Sequence, residues 1–431
     1  MADPRRTRLA FEPLESRTVP TVITVTSTGD GIARDGVVTL REAIEAADSH
    51  KAVGDVPAPA AGAVTIRFDI PGSGTHVIKP LSALPVLAGD VTIDGTSQHG
   101  YDGTPLIEID GVSAGAESNG FVLLGGKNTV RGLDITQFKL NGIVVASADN
   151  TIAGDWIGLN PSGFQAAGNG AEGIVVVGAD NLIGGTTAGA RVVISGNRLA
   201  GIDLTTSKAY GNDVVGDYIG TDATGFASIP NGTGLLIGAG SHSNQIGGTT
   251  DAARNVICGN IDDQVEITGK GTSSNVVTDN YIGVDSSGES AAQEGGDGVQ
   301  ITDGATDNRI GGTTLDTGNL IAGIGLWTFG KAAGAGVELD GSTTSGNLIE
   351  GNWIGIDSRG LAPLSDVGGG IRINGAGRNT VGGSGLAENV IADAANSSGL
   401  TSSNHVMPKN WDLDSIQYYG HPNLLGGTFR A

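Results

Sequence analysis

The chain has 431 residues, of which 74 are glycine, 4% are aromatic and 38% are hydrophobic. The hydrophobic share is too high for a disordered chain, and abundant glycine with few aromatics is typical of short strands joined by tight turns. The formal net charge of −22 would repel phosphate backbones, so we expect no nucleic-acid partner. Cys258 is the only cysteine, which excludes a disulfide framework within the chain, and no apolar run is long enough for a membrane span.

Residues 1–20 begin with a basic cluster, RRTR, but lack the apolar stretch that forms the core of a cleavable signal peptide. The segment resembles instead the short LEPR-type N-terminal segment of planctomycete surface and exported proteins. The matching residues are Phe11, Leu14, Glu15, Arg17, Val19 and Pro20. The resemblance implies an export or sorting segment, and hence an extracellular or cell-surface location.

Residues 21–141 are interpreted as an N-terminal cap followed by irregular first coils. TLREAIEAA at 39–47 predicts a short amphipathic helix, because Thr39 and Glu42 form a capping box and Leu40, Ala43, Ile44 and Ala47 make one apolar face. This stretch resembles the CSLREA-type segment that precedes β-helix repeats in bacterial surface proteins, with Val38 and Thr39 in place of Cys-Ser. The segments VTIRFDI, DVTIDG, LIEIDG and TVRGLDI predict strands between residues 64 and 141.

Two phrases alternate through residues 142–399. The first appears as GDWIGLNPSG at 154–163, GDYIGTDATG at 216–225, DNYIGVDSSG at 279–288 and GNWIGIDSRG at 351–360. The second appears as NLIGGTTAGARVVISGN at 181–197, with counterparts that start at 244, 308 and 379. Both carry an Asn-x-[LIV] triplet, whose asparagines recur every 31 to 39 residues at Asn150, Asn181, Asn212, Asn244, Asn275, Asn308, Asn347 and Asn379. A period near 31 residues predicts a solenoid.

Each unit contains three short strand candidates, such as GIDL, NDVVG and DYIG between residues 201 and 220. Three strands per unit predict an all-β fold, a single-stranded parallel β-helix, and the crossover rule makes it right-handed. Equivalent residues of successive coils should then stack roughly 4.8 Å apart, with the asparagines in one hydrogen-bonded ladder. The glycine content and the absence of a sustained 3.6-residue period argue against a helical repeat.

Residues 120–399 resemble the right-handed β-helix proteins of the pectate-lyase-like superfold. The phrases YIGTDATG, IGGTT and NVI-[SC]-GN resemble those of bacterial surface repeat proteins with this fold. The superfold includes polysaccharide lyases, glycoside hydrolases, epimerases, phage tailspikes and non-catalytic adhesins, so the resemblance implies a fold without choosing an activity. Residues 400–431 depart from the repeat and are expected to form a C-terminal cap or tail.

The strand G-[IVL]-x-[ILV] places its third residue, and the residue two positions later, on the outside of the coil. Between residues 264 and 374 these outward positions are polar, and we call them the polar strip. They are Glu266, Thr268, Gln300, Thr302, Glu338, Asp340, Arg372 and Asn374. Glu266 and Glu338 lie two coils apart, roughly 9.6 Å, which is near the upper limit for the carboxylates of inverting glycosidases. Glu338 and Arg372 are close enough to pair, and a solvated face with cross-strand pairs is the alternative explanation of the whole strip.

The coil between Asn308 and Asn347 is the longest, and its excess contains GIGLWTFGKAAGAG at 323–336. Insertions on one edge of a solenoid often form its binding face, so Trp327 is a candidate for stacking on a sugar ring or, alternatively, for pinning the loop. The candidate ligand-binding residues are Gln300, Trp327 and Asn374. The candidates for catalysis, if the protein is an enzyme, are Glu266, Glu338, Asp340 and Arg372.

Several aspartates recur once per double coil, which favours turn chemistry because a catalytic site is normally unique in a chain. They are Asp217, Asp222, Asp279, Asp285 and Asp357. Ca²⁺ held between stacked Asp turns is the alternative, and the six histidines show no metal-ligand spacing. The ordered segments typical of polygalacturonases are missing from the sequence.

Uniform repetition without a singular acid–base cluster favours a binding or structural module that meets polysaccharide or another cell-envelope component. The alternative is a polysaccharide lyase or glycoside hydrolase acting along residues 264–374, and a third interpretation is a spacer. An enzyme is the less favoured option. The ligand and the oligomeric state are left open.

Overall fold

Three long parallel sheets run through the protein, and each regular coil contributes one strand to each of them. The computed structural model describes residues 21–187, 189–292, 295–314, 317–325, 334–364, 369–383, 385–392, 400–402 and 416–419. The fold is the right-handed parallel β-helix that the repeat predicts. The export-like segment at 1–20, the candidate Trp327 and most of residues 400–431 lie outside the described residues.

The strands of each sheet follow one another in chain order, with every neighbouring pair parallel. Sheet 1 consists of Thr21–Val25, Val64–Phe68, Val91–Asp94, Thr129–Arg131, Thr151–Ala153, Leu182–Gly184, Asp213–Val215, Gln245–Gly247, Val276–Thr278, Arg309–Gly311, Leu348–Glu350 and Thr380–Val381. Sheet 2 consists of His76–Ile78, Ile107–Asp110, Leu133–Thr136, Trp156–Ile157, Val193–Ile194, Tyr218–Ile219, Val256–Ile257, Tyr281–Ile282, Leu320–Ile321, Trp353–Ile354, Asn389–Ala392 and Ile416–Tyr419. Sheet 3 consists of Phe121–Leu123, Ile143–Val145, Ile174–Val176, Ile202–Leu204, Leu235–Ile237, Val265–Thr268, Val299–Thr302, Val337–Asp340, Ile371–Asn374 and Leu400–Ser402. Short 3₁₀ turns occupy Gly95–Ser97, Gly111–Ser113, Asp251–Ala253 and Gly385–Ala387.

The interior of the coil is a stack of aliphatic side chains. In sheet 2, Ile219, Ile257 and Ile282 pair in register and are fully buried, as the alternation of apolar and polar residues along the strands predicts. Like side chains therefore lie above like side chains through successive coils. This repeated burial is the main source of stability in a fold where each coil contacts only its neighbours.

The eight asparagines of the Asn-x-[LIV] triplets form the single ladder that their spacing predicts. The Nδ2 of each asparagine donates to the Oδ1 of the next at 2.9 to 3.1 Å. The same oxygen also accepts the backbone N–H of the preceding asparagine. Asn128 extends the ladder by one coil toward the N-terminus. Buried turn backbone that would otherwise lack partners is satisfied in this way.

Two further asparagine ladders occur at the other corners and were not predicted. One comprises Asn169, Asn197, Asn231 and Asn260. The other comprises Asn255, Asn280, Asn319, Asn352 and Asn389. Their sequence separations alternate between short and long, because the turn between sheets 2 and 3 is long in every second coil only. A search for one constant period therefore does not detect them.

The recurrent phrase GDYIGTDATG is explained by this alternation of turns. Asp222 Oδ1 accepts the backbone N–H groups of Thr224 and Phe226, both at 3.1 Å, and Gly225 follows with φ of +79°. Asp285 and Asp357 bond the backbone of their own turns in the same manner. The turn chemistry predicted for these three aspartates is confirmed.

The long turns of alternate coils contact one another directly. Ser286 N donates to Gly225 O at 2.9 Å, and Ser358 N donates to Gly288 O at 2.8 Å. Each long turn thus reaches across an intervening coil whose own turn is short. The phrase recurs once per double coil because its nearest like neighbour in space is two coils away.

A helix at Leu40–Ser49 covers the N-terminal end of the coil, as predicted. The capping box is present, since Thr39 Oγ1 accepts the N–H of Glu42 and Glu42 Oε2 accepts the N–H of Thr39. Its apolar residues are buried against the strands Thr21–Val25 and Val64–Phe68. Covering the first strands protects an edge that would otherwise invite aggregation. None of the helices in the described residues is long and apolar enough to cross a membrane.

Candidate functional site

The polar strip lies on the outer face of sheet 3, in the register that the sequence predicts. Glu266 pairs with Gln300, and Gln300 in turn pairs with Glu338. Arg372 follows on the next strand, directly opposite Glu338. Thr268 lies opposite Thr302 by the same register. The strip therefore presents two parallel columns of polar side chains with one step per coil.

The predicted contact between Glu338 and Arg372 is present. Arg372 Nε donates to Glu338 Oε1 at 3.0 Å, and its Nη2 contacts the other oxygen of the same carboxylate. The guanidinium side chain is 25% exposed and the Glu338 side chain 11%. This bidentate geometry is the arrangement in which arginine binds a carboxylate most strongly.

Asp297 joins this pair and was not predicted. Arg372 Nη2 also donates to Asp297 Oδ1 at 3.1 Å, and Gln300 Nε2 donates to Asp297 Oδ2 at 3.1 Å. The backbone N–H of Ala335 donates to Asp297 Oδ1 at 2.6 Å. Two buried carboxyls thus share one guanidinium. We call Asp297, Gln300, Glu338 and Arg372 the Asp297 cluster.

The two carboxyls of the cluster have opposite pKa shifts. Burial raises the pKa of Asp297 to about 8, and the adjacent carboxyl of Glu338 adds to the rise. Burial also acts on Glu338, but hydrogen bonding and charge from Arg372 outweigh it, so the pKa of Glu338 lies below its ordinary value. One arginine compensates one buried negative charge, so the second carboxyl keeps its proton near neutral pH.

The sequence places Asp297 at the same position of its coil as Asp263, and this pattern could have identified Asp297 as a neighbour of the polar strip. Asp263 and Asp297 each come directly before the sheet 3 strands of successive coils, and Asp297 N donates to Asp263 Oδ1 at 2.6 Å. In the following coil the equivalent residue is Ala335, and Arg372, one coil further on, contacts Asp297 across this coil. Only the combination of these positions predicts the cluster, because no single residue pattern marks it.

The remaining predicted site residues lie beside the cluster. Glu266 is separated from Glu338 by Gln300, so the structure does not bring the two glutamates into contact. Asp340 and Asn374 lie opposite each other at the outward position two residues further along their strands, and Asn374 is exposed. The structure therefore brings Gln300, Glu338 and Arg372 together, whereas Trp327 belongs to the segment that it does not describe.

Within the described ranges, no group of three or more His, Cys, Asp or Glu side chains is arranged to hold a metal ion. The carboxylates of Asp222, Asp285 and Asp357 are already engaged by the backbone of their own turns. These contacts account for the recurrent aspartates of the long turns without a bound Ca²⁺.

The geometry of the Asp297 cluster limits the chemistry it can perform. Asp297 and Glu338 are in hydrogen-bonding contact, whereas the two carboxyls of glycosidases stand roughly 5 to 9.5 Å apart to admit a sugar or a water. The side chains of Asp297 and Glu338 are 6% and 11% exposed, whereas that of Arg372 is 25% exposed, so a ligand on this face would meet Arg372 and Gln300 first. The cluster can hold one proton between two carboxyls and present a guanidinium to the surface.

The raised pKa of Asp297 predicts a pH-dependent stability that Asp297→Asn removes. A group whose pKa rises on folding contributes stability that is complete below its unfolded value, near 3.8, and is lost as pH rises through about 8. We expect the wild-type chain to lose on the order of 2 kcal/mol relative to Asp297→Asn between pH 5 and pH 9. The measurement is thermal unfolding of both proteins across this range.

Comparison with the variant is needed because Asp134, Asp155 and Asp217 also have pKa values raised by burial. The pKa of Glu338 is shifted in the opposite direction, to below its ordinary value, so this group does not change its charge in the pH window and does not mask the effect. Asp303→Asn, an exposed change on the same sheet, is the control. Parallel pH profiles for the wild-type and Asp297→Asn proteins would contradict the assignment.

Neither a family profile nor a curated protein matches the chain. Among solved structures it is similar to the PL6 family polysaccharide lyase Pedsa3628 from Pseudopedobacter saltans, with 14% identity, a TM-score of 0.44, and coverage of 82% of this chain and 88% of that one. It is also similar to the A-module of mannuronan C-5 epimerase AlgE6 from Azotobacter vinelandii, with 14% identity, a TM-score of 0.40, and coverage of 93% and 89%. The AlgE4 A-module from the same organism shows 17% identity, a TM-score of 0.39, and coverage of 81% and 94%. Likenesses at this level do not transfer an activity.

Proposed function

We propose that the polar strip is a binding surface for a polysaccharide, and that the protein acts as a non-catalytic binding module. The observation that carries the proposal is the pair of polar columns on an open sheet face, with hydrogen-bonding groups repeated roughly every 4.8 Å. An extended glycan offers hydroxyl groups in a similar linear array. Gln300, Arg372 and Asn374 supply the donors that such hydroxyls need.

The charge of the strip favours a neutral glycan over a strongly acidic one. Arg372 is compensated by the Glu338 carboxylate, and Glu266 and Asp340 add negative charge to the same face. The whole chain carries a net charge of −22, which would repel a polyanion. Neutral hydroxyl groups can accept from Arg372 and donate to Asp340 without such repulsion.

We also propose an exported, surface-associated location. The LEPR-type match at residues 11–20 and the CSLREA-type match at the start of the capping helix support it, since both segments occur in exported surface proteins. A polysaccharide-binding module has its ligand in that compartment.

A second candidate function is polysaccharide lyase or glycoside hydrolase activity along the same strip. The observation that favours a lyase is the division of pKa values in the Asp297 cluster, because a protonated and an ionised carboxyl side by side can act as acid and base. The direct contact between these two carboxyls does not match the separation that a glycoside hydrolase needs. Assays for unsaturated products and for reducing ends distinguish the candidates. Turnover that Glu338→Gln abolishes in a folded protein would overturn the non-catalytic proposal.

The binding proposal predicts that the double variant Gln300→Ala/Asn374→Ala weakens glycan binding. Losing two hydrogen bonds of about 1 kcal/mol each should reduce affinity roughly 10-fold or more. The measurement is a titration against a panel of neutral and acidic polysaccharides, with titration calorimetry on any hit. Gln245→Ala, an outward change on sheet 1, should leave binding unchanged. Equal loss in both variants, or no binding by the wild-type chain, would overturn the proposal.

A further inference from the structure

A row of aromatic side chains lies on the outer face of sheet 2, away from the polar strip. In register, Trp156, Tyr218, Tyr281 and Trp353 alternate with aliphatic residues of the intervening coils. The intervening residues are Val193, Val256 and Leu320. The row therefore contains three gaps, one between each pair of successive aromatic rings. The aliphatic side chain at the base of each gap is called its floor residue.

An arginine occupies each of the first two gaps. The guanidinium of Arg191 lies 4.0 Å from the ring centre of Tyr218, and that of Arg254 lies 4.5 Å from the ring centre of Tyr281. Arg191 Nε donates to the carbonyl of Gly216, and Arg254 Nε donates to Asp279 Oδ1. In both cases a planar cation stacks on the aromatic ring of the next coil and is held at its edge by an oxygen.

Among the residues that the structure describes, no side chain occupies the third gap in this way. Arg191 and Arg254 each stand two residues before the floor residue, and the equivalent residue before Leu320 is Gly318. A cleft of about 150 Å³ opens there, bordered by Arg254, Asp279, Tyr281, Leu320, Trp353 and Ser358. Trp353 is 39% exposed, whereas Trp156 and Tyr218 are each 9% exposed. The ring that should carry the third guanidinium faces this open cleft.

The chain cannot fill the gap from position 318. A Cβ atom on Gly318 would lie 2.0 Å from the carbonyl oxygen of Gly351, so no side chain fits on the present backbone. The position that supplies the guanidinium in the first two gaps therefore cannot supply it in the third. The Gly351 carbonyl is the counterpart of the Gly216 carbonyl that accepts from Arg191.

We propose that this cleft binds the guanidinium group of an arginine residue from another molecule, stacked on Trp353. The two filled gaps show that the aromatic row accepts a guanidinium group. The third gap has the same flanking aromatic rings, an aliphatic floor residue and a backbone carbonyl at Gly351, but no arginine at the equivalent position. The local charge is compatible with a further cation, because Arg254 is paired with both Asp251 and Asp279. This site is independent of the polar strip and of the function proposed for it.

The experiment uses N-acetyl-L-arginine amide as the probe and N-acetyl-L-citrulline amide as its neutral counterpart of the same shape. Titration of the full chain, followed by the ¹⁵N indole signal of Trp353, should show saturable binding of the arginine probe. The citrulline probe should bind at least about 5-fold more weakly, since a cation–π contact contributes about 1 kcal/mol. Trp353→Leu assigns the signal and, by calorimetry, should abolish binding.

Phe226→Leu is the matched control, because Phe226 is an exposed aromatic residue on the long turn that follows Tyr218, away from the cleft. It should bind the arginine probe as the wild-type chain does, which separates the cleft from attraction to the net negative charge. The proposal is overturned if the two probes bind equally, if binding survives in Trp353→Leu, or if the wild-type chain does not saturate. Displacement of the probe by a neutral oligosaccharide would also overturn it, by assigning the cleft to sugars.

Discussion

Replacing Asn275 by alanine should destabilise the coil by about 3 kcal/mol, because it interrupts the asparagine ladder in its buried middle. Asn275 Oδ1 accepts both the backbone N–H and the Nδ2 of Asn244, at 3.1 and 2.9 Å. Its own Nδ2 donates to Ser241 O and to Asn308 Oδ1. Alanine removes all four bonds and leaves a buried backbone donor without a partner, which is the most costly part of the change.

The same substitution at Asn379 is the matched control. Asn379 stands last in the ladder and is only half-buried, so water can replace its bonds and the loss should be about 1 kcal/mol. Urea unfolding gives the free energies, and hydrogen exchange of the strands Gln245–Gly247 and Val276–Thr278 shows whether the opening is local. Equal effects at the two positions would show that the ladder does not stabilise the buried coils.

Arg372→Met should be the second most damaging change, because it leaves Asp297 and Glu338 buried together without their shared cation. Breaking a buried ion pair by removing one partner costs about 3 to 5 kcal/mol, and the partial exposure of Arg372 reduces the expected loss to about 2 to 4 kcal/mol at pH 8. Methionine keeps an apolar stem similar to that of arginine and removes the guanidinium, so the loss reports mainly the charge and its hydrogen bonds. Urea unfolding at pH 8 and pH 5 measures it.

The loss should shrink at pH 5. Without Arg372 the pKa of both carboxyls lies above its unfolded value, so protonation favours the folded state and the variant becomes less stable as pH rises. Glu338→Gln in the Arg372→Met background should restore much of the stability at pH 8. Arg131→Met is the control, since Arg131 pairs with Asp94 but is 46% exposed, and its loss should stay below about 1 kcal/mol. Failure of the rescue, or an equal loss in the control, would contradict a shared charge in the Asp297 cluster.

The ladder and the cluster differ in how far the sequence predicts them. The eight asparagines repeat with almost the period of the coil, so their stacking follows once the period is recognised. The polar strip follows in the same way, because an outward position in one coil is outward in all. Asp297 contacts Arg372 across 75 residues and between coils that are not adjacent, so a repeat of nearest-neighbour contacts does not predict it.

The aromatic row shows the same difference. Its spacing is visible in the sequence, because each copy of the phrase GDYIGTDATG carries one of the four aromatic residues. Trp156 and Tyr218 are covered, whereas Trp353 faces a cleft. Gly318 stands at the position that Arg191 and Arg254 occupy in earlier coils. Only the register, which places this position beside Trp353, shows that an arginine is missing from the row.

The capping helix follows from its own capping box and apolar face. The repeat is sufficient to predict the parallel coil, its register, the first asparagine ladder and the order of outward residues. These features depend on contacts between equivalent positions of adjacent coils, and a repeat in the sequence is a repeat of those contacts. The tertiary structure alone decided the stacking of long turns across two coils, the two irregular ladders, the Asp297 cluster and the open gap beside Trp353. Each of these depends on turn lengths and side-chain sizes that vary from coil to coil, so the period contains no information about them.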